Sequence, residues 1–205
     1  MENKRLVLST NNMNKLEEIR EILKDLPIEV LAKKDIGASN FNIEEDGTTL
    51  EENSIKKAKT LSEKTDYLVM ADDSGLFVDK LNGEPGVFSS RYAGEEGNDE
   101  KNNQKLMSSM ENIPLIERTA RFRTIITLIT EDKEIITVEG ECKGHIGYEP
   151  KGDNGFGYDP LFIPYGYDKT FGELSEEIKN RISHRGKALE KMKEVLIKLI
   201  EGKIQ

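Results

Sequence analysis

The sequence predicts an α/β fold built on a mixed β-sheet flanked by helices, and three observations carry that reading. Short apolar runs alternate with amphipathic helical patterns early in the chain, the order that builds parallel strands with crossover helices. Two long β-branched segments follow, Arg118–Thr130 and Glu134–Gly147, separated only by Glu131-Asp132-Lys133. That spacing predicts an antiparallel hairpin, so the sheet is mixed rather than purely parallel. The composition is that of a globular chain, with 36% hydrophobic and 34% charged residues of both signs over 205 positions.

The elements follow in order. Arg5–Thr10 reads as a first strand around Leu6, Val7 and Leu8. Asn11, Asn12 and Asn14 form a turn-prone patch. A helical period then begins at Lys15 and runs through Leu16, Ile19, Ile22 and Leu23, stopping before Pro27. Ile28–Leu31 suits a second strand, and residues 33–48 a loop. A second helix is expected from about Thr49 to Lys64, with Leu50, Ile55, Ala58 and Leu61 on one side. Tyr67–Asp72 and Leu76–Val78 read as two strand-like stretches with a turn at Ser74-Gly75. Residues 80–98, rich in glycine, read as a long loop, after which Asp99 caps a helix over Asn102–Met110. Beyond the hairpin, Gly152–Gly157 is a glycine-rich turn, Leu161-Phe162-Ile163 a short strand, and Arg185 to about Glu201 a last helix with Leu189, Met192, Leu196 and Leu199 as its stripe. No repeat, low-complexity tract or separating linker appears, so residues 1–205 read as one domain.

Bulk properties exclude several classes. No apolar run approaches the roughly 18 residues that span a bilayer, and no secretory segment opens the chain. The single cysteine, Cys142, rules out an internal disulfide and a multi-cysteine metal site. A cytoplasmic location is the simplest expectation. The formal net charge of −9 argues against a nucleic-acid polymer as partner. It leaves room for a small anionic substrate, because a local cluster of lysine, arginine and metal can focus a positive field.

Four segments carry residue types that suit chemistry. Asp72-Asp73 closes an apolar stretch, and two adjacent carboxylates are costly to ionise when buried unless a cation sits with them. Hard cations such as Mg²⁺ take oxygen ligands and serve phosphate chemistry; the same run also reads as a strand end with a solvated Asx turn. Ser9 through Lys15 passes from strand to helix through polar residues, which suits an anion site at a helix start or an ordinary cap. Glu45 precedes a glycine turn and can supply a metal oxygen or favour the start of the next helix; Lys57, within that helix, can face phosphate or solvent. In Gly155-Phe156-Gly157-Tyr158-Asp159-Pro160, the glycines let a planar group approach Phe156, or the aromatics pack inward. Lys179 and Ser183-His184-Arg185 add donors near the last helix, with a structural role for the histidine equally open.

Together these segments resemble the inosine triphosphate pyrophosphatase family. The pieces STNNMNK, EEDGTTLEEN with IKKA, ADDSGLFVDKLNGEPGVFSSRYAG, NNQKL, GFGYDPLFIP and ISHRGKAL appear in family order from Leu8 to about Leu196. The resemblance implies an elongated two-lobed fold with a long mixed sheet and an active site in the cleft between the lobes. It implies Mg²⁺-dependent hydrolysis of ITP, dITP and XTP to the monophosphate and pyrophosphate, usually by a homodimer. Carried over by position, Thr10, Asn11, Asn12, Met13, Asn14 and Lys15 match the triphosphate-binding loop. Glu45 and Asp73 match metal ligands, with Asp73 also the proton acceptor and Asp72 in support. Ser74 and Lys57 match substrate-side positions; Phe156, Gly157, Tyr158 and Asp159 match the base-holding segment, and Lys179, His184 and Arg185 complete the match. The chain departs from the family pattern at Asn11, where glycine is frequent, and at Leu50 and Ser54, which read as packing changes.

These roles imply attack by water on the α-phosphorus with pyrophosphate leaving, aided by charge neutralisation rather than by a covalent nucleophile. Hypoxanthine and xanthine present acceptors at O6 and N7, where His184 and Arg185 can donate, while adenine offers a donor at the six position. Alternatives at this stage are a pyrophosphatase of the same fold acting on dTTP, UTP or other altered nucleotides, and a nucleotide-binding regulator without turnover.

Overall fold

Leu6, Val7 and Leu8 are the buried residues of β1 (Lys4–Leu8), which has a parallel strand on each side: β2 (Ile28–Ala32), paired from Lys4↔Ile28 to Leu8↔Ala32, and β3 (Leu68–Val78), paired from Leu6↔Leu68 to Leu8↔Met70. The structure is a computed structural model that describes residues 4–39, 41 and 43–202. Between β1 and β2 lies α1 (Met13–Leu23), and between β2 and β3 lies α2 (Leu50–Ser62). Asn12 caps α1 by accepting from Lys15 N, while Thr49 and Glu52 close α2 with reciprocal bonds. Then come α3 (Asp99–Ser109), β4 (Thr119–Ile129), β5 (Ile135–Ile146), β6 (Phe162–Pro164), α4 (Glu176–Ile182) and α5 (His184–Ile200).

The strands form one six-stranded sheet in the order β2-β1-β3-β4-β5-β6. Thr130 N bonds Glu134 O and Ile146 N bonds Arg118 O, one antiparallel register along the hairpin, and β6 adds antiparallel to β5. The expected mixed sheet with flanking helices is therefore present.

The chain divides into two compact units, one of residues 1–73, 124–140 and 186–205, the other of residues 74–123 and 141–185. In the first, side-chain alternation along the strands separates two cores. Leu6, Leu8, Leu68 and Met70 pack with Leu16, Ile19 and Leu23 of α1 and with Ala188, Leu189, Met192 and Leu196 of α5. Val7, Val69 and Ala71 pack on the other side with Ala58 and Leu61 of α2. Ser54, expected as a packing change, is fully buried; its hydroxyl donates to Ala71 O (3.1 Å) and meets Thr127 Oγ1 (2.8 Å).

The second unit is centred on Phe122, Phe162 and Phe171, whose rings lie 4.7–6.2 Å apart, with Leu76, Leu106 and Leu161 around them. Arg118 is buried there, and among the described residues no carboxylate is bonded to it. Its guanidinium donates to three carbonyls, Ile146 O (2.8 Å), Met110 O (2.7 Å) and Gly147 O (2.7 Å), tying the end of α3 to the end of β5.

Several expectations change. β3 is one continuous strand through Asp72, Asp73, Ser74 and Gly75, so the chain does not turn there. Gly75 serves close approach instead: a Cβ on it would lie 2.4 Å from Gly86 O. The cap of α3 is Asn98, which accepts from Lys101 N, and Asp99 is the first helical residue. The 80–98 loop contains part of one 3₁₀ turn and all of another, Asp79–Leu81 and Gly86–Arg91. Helix α4 was not expected; its short run EEIKNRI carries too little apolar periodicity to announce itself, although Ser175 caps it by accepting from Ile178 N.

Candidate functional site

One group of candidate residues gathers in the first unit, just past the last β1–β3 pair, where Ser9 N bonds Met70 O. This is the carboxyl end of parallel strands, the usual place for ligands in such sheets. Asp72 and Asp73 are both buried, at 4% and 5% exposure. Consecutive strand residues face opposite ways, so Asp72 continues the face that packs on α1 and Asp73 the face that packs on α2. Each meets a lysine from its own helix: Lys15 Nζ lies 3.1 Å from Asp72 Oδ2, and Lys57 Nζ lies 2.7 Å from Asp73 Oδ1. Neither Asp72 nor Lys57 is the solvated side chain that the sequence left open.

Lys57 also reaches Glu45 Oε1 at 3.2 Å, and Glu45 and Asp73 are hydrogen-bonded to each other. Burial pushes the Asp73 carboxyl above the usual aspartate range, with the charge of Glu45 adding to it and Lys57 and Lys15 only partly offsetting it. Burial also raises Glu45, but Lys57, Lys15 and the bond with Asp73 outweigh it and hold that carboxyl below its ordinary value. Lys57 is desolvated too, yet Asp73, Glu45 and Asp72 keep its ammonium charged. The pair thus holds a proton on Asp73 more readily than on Glu45.

Asn53, the last residue of EEDGTTLEEN and given no role by the sequence, is a member of this group. It is fully buried, donates from Nδ2 to Asp73 Oδ2 (3.3 Å) and accepts from Gly47 N (2.8 Å), so it joins the turn after Glu45 to the carboxylate. The signal in the sequence is an asparagine one turn before a lysine, Asn53 and Lys57 at i and i+4, which puts both on one face of the helix. Ser9 Oγ donates to Lys57 O (3.0 Å). In the first loop, Thr10 Oγ1 accepts from Asn12 N (3.1 Å), while Asn11, Met13 and Asn14 are exposed around the start of α1.

Among the described residues, no set of three or more His, Cys, Asp or Glu side chains is arranged to hold a metal ion. Strand alternation is the reason Asp72 stands apart. Glu45 and Asp73 nevertheless fit a hard cation by their chemistry: a buried and a part-buried carboxylate that share a hydrogen bond offer the oxygen ligands a divalent ion takes in place of a proton.

A second group lies in the other unit. Phe156 is half-buried in a turn shaped by Asp159, whose Oδ2 accepts from Phe156 N (2.9 Å) and pairs with Lys179 Nζ (2.7 Å). Gly155 is required here, at φ +77°, because a Cβ would fall 2.0 Å from Asp159 Oδ2. Lys179 Nζ and Arg185 Cζ stand 4.9 and 5.4 Å from the centre of the Phe156 ring. Arg185 Nη2 donates to Ser74 Oγ (3.2 Å), and His184 stacks on Phe122 at 4.6 Å. Tyr158 faces inward: it is 4% exposed and its hydroxyl donates to Ser89 O (2.8 Å). Burial first, then the charges of Tyr92 and Asp99, raise its phenol well above the ordinary value, so it stays neutral.

The Ham1 family model matches residues 6–195. The chain belongs to the Ham1 family. A dITP/XTP pyrophosphatase of Clostridium tetani is 50% identical over 203 residues, covering 98% of this chain and 100% of the relative. Among solved structures, the Ham1 protein of Staphylococcus aureus is 38% identical with a TM-score of 0.84, covering 98% of this chain and 100% of that one. A HAM1 protein from Coxiella burnetii is 40% identical with a TM-score of 0.85, covering 95% and 99%. In this Ham1-family chain, Lys15, Glu45, Lys57, Asp72 and Asp73 lie in the first group and Ser74, Phe156, Tyr158, Asp159, Lys179, His184 and Arg185 in the second unit, with Gly157 next to Phe156 in its turn.

Proposed function

We propose that this Ham1-family chain hydrolyses non-canonical purine nucleoside triphosphates (ITP, dITP and XTP) to the monophosphate and pyrophosphate, removing them from the nucleotide pool. The observation that carries the reading is the Glu45–Lys57–Asp73 cluster, a buried carboxyl raised in pKa beside a charged lysine at the carboxyl end of a parallel strand. It is the equipment of a phosphate-cleaving base rather than of a passive pocket. The names of relatives such as the C. tetani dITP/XTP pyrophosphatase support the substrate class.

In this reading, Glu45 and Asp73 would hold Mg²⁺, while Asp72, on the opposite face of β3 and paired with Lys15, would support the ion through its charge rather than as a direct ligand. The ion, when bound, supplies Lewis-acid neutralisation of phosphate charge. Thr10 through Lys15 present the start of α1, backbone donors and an ammonium to the triphosphate. Lys57 keeps its charge and offers it to a phosphate oxygen. Asp73 takes the proton of the attacking water at its carboxylate, and Asn53 orients that carboxylate. In the other unit Phe156 stacks on the base, while Arg185 and His184 donate to its acceptors; adenine would leave such donors unpaired, which costs about 1–3 kcal/mol for each buried one. Lys179 and Asp159 fix the turn that carries Phe156, with Gly157 leaving its edge open and Tyr158 anchoring it from below. Ser74, bonded to Arg185, completes the substrate side.

Residues 1–205 act as one catalytic domain in this proposal. A homodimer is inferred with it, consistent with the exposed Phe88, Leu115, Ile116, Tyr148 and Tyr165 of the second unit. A cytoplasmic setting is inferred with it as well; no helix among the described residues is long and apolar enough to cross a membrane.

The test is product analysis with dITP and XTP in the presence of Mg²⁺. Pyrophosphate and the monophosphate are expected, and Asp73→Asn should lower turnover at least about 100-fold, the scale of a lost general base. Orthophosphate as the product would move the attack to the γ-phosphorus, and near-normal turnover by the folded variant would remove Asp73 from the chemistry.

A further inference from the structure

The NNQKL segment belongs to none of the roles above, yet α3 grips the turn that presents Phe156. Gly157 N donates to Asp99 Oδ2 at 2.7 Å, and Gly157 O accepts from Asn103 Nδ2 at 2.8 Å. The first bond holds the peptide between Phe156 and Gly157, the second the peptide between Gly157 and Tyr158. Asp99 and Asn103 stand at i and i+4 and so share one face of the helix. A single rigid element thereby fixes both peptide planes around a glycine at φ +62°, the residue of the turn freest to rotate.

The helix is itself anchored. Asn98 caps its start, and the fully buried Leu106 seats it in the aromatic core of the unit. Asn102 accepts from Ala93 N (2.8 Å) and donates to Ser90 O (3.1 Å), which ties α3 to the loop before it. On the other flank of Phe156, Asp159 accepts from its N–H. The aromatic is therefore held from both sides of the chain, by Asp159 before the ring and by α3 after it.

We propose that Asp99 and Asn103 are positioning residues that set the tilt and height of Phe156, and through it the affinity for the purine base. They touch the base-holding turn and not the phosphate-binding group. The inference rests on the functional reading given above, in which Phe156 stacks on the base. Base stacking is worth about 1–3 kcal/mol per base, so a platform left free to tilt has much to lose.

The experiment measures KM and kcat for XTP, together with the inhibition constant of inorganic tripolyphosphate, which has no base. Asp99→Ala and Asn103→Ala should each raise KM for XTP about tenfold, equivalent to about 1.4 kcal/mol, with kcat and the tripolyphosphate constant unchanged. Asp99→Asn keeps an oxygen that accepts from Gly157 N and should restore KM to within about twofold of the original, a difference below about 0.5 kcal/mol. A KM for XTP that does not move in either alanine variant overturns the clamp. So does a parallel rise in the tripolyphosphate constant, which would mark a general loss of structure, and so does failure of Asp99→Asn to rescue. Absence of pyrophosphate release from XTP by the unaltered protein overturns the functional reading itself and the clamp with it; that outcome is told apart because it appears before any substitution is made.

Discussion

Replacing Lys57 with methionine would leave the Asp73 and Glu45 carboxyls together with no ammonium between them. Lys57 lies 2.7 Å from one and 3.2 Å from the other. Two unit charges at about 4 Å interact by about 4 kcal/mol at an effective dielectric of about 20, and removing one partner of a buried pair typically costs about 3–5 kcal/mol. Glu45 keeps 30% of its side chain exposed, so water screens part of this and the lower end applies. The loss should depend on pH. In the unaltered protein the folded-state pKa of Asp73 is raised, so its contribution falls as pH climbs past the unfolded value. That of Glu45 is lowered, so its contribution grows over the same range and opposes that of Asp73. Without Lys57 both carboxyls titrate upward in the folded state. At about pH 3 and below, under the ordinary carboxylate values, both are protonated in the variant whether folded or unfolded; as pH rises above that, its stability should fall as the unfolded chain ionises first. Urea unfolding from pH 4 to pH 8 reads this directly. A Lys57→Met protein as stable as the original at pH 8, or equally destabilised at every pH, would refute the electrostatic account of the cluster.

Arg118→Met fills the same space but leaves three buried carbonyls without their donor. At about 1 kcal/mol or more each, the loss should be about 3 kcal/mol, seen as a lower denaturation midpoint; an unchanged midpoint would mean that water replaces the guanidinium. Gly75→Ala places a methyl 2.4 Å from Gly86 O, against backbone that cannot rotate away. A destabilisation of about 1–3 kcal/mol is expected from overpacking, together with reduced turnover because Ser74 is its neighbour. Normal stability and turnover would show that the strand yields freely.

Much of the fold was legible because its signals are local. The periods of Leu16-Ile19-Leu23 and Leu189-Met192-Leu196 mark helices whichever way they pack, and the three-residue break at Glu131-Asp132-Lys133 leaves the β-branched runs no partner nearer than each other. Helix α4 was missed because two acids and two bases dominate its seven residues, and the turn expected at Ser74-Gly75 was wrong because glycine marks close approach as well as turning. Asn98 and Asp99 are both good caps, and only the backbone path shows which one stands outside the helix.

Residue order along the chain settled which groups exist: acids at 45, 72 and 73, lysines at 15, 57 and 179, an aromatic between glycines. Their short-range grammar is enough to mark strand ends, helix starts and a family resemblance. What each acid faces depended on packing. Asp72 and Asp73 are neighbours in sequence, but a pleated strand sends them to opposite faces, so one meets Lys15 of α1 and the other meets Lys57, Asn53 and Glu45. Pairings across 16 to 57 residues of chain arise from the burial of apolar faces on both sides of a sheet, and no local pattern encodes them.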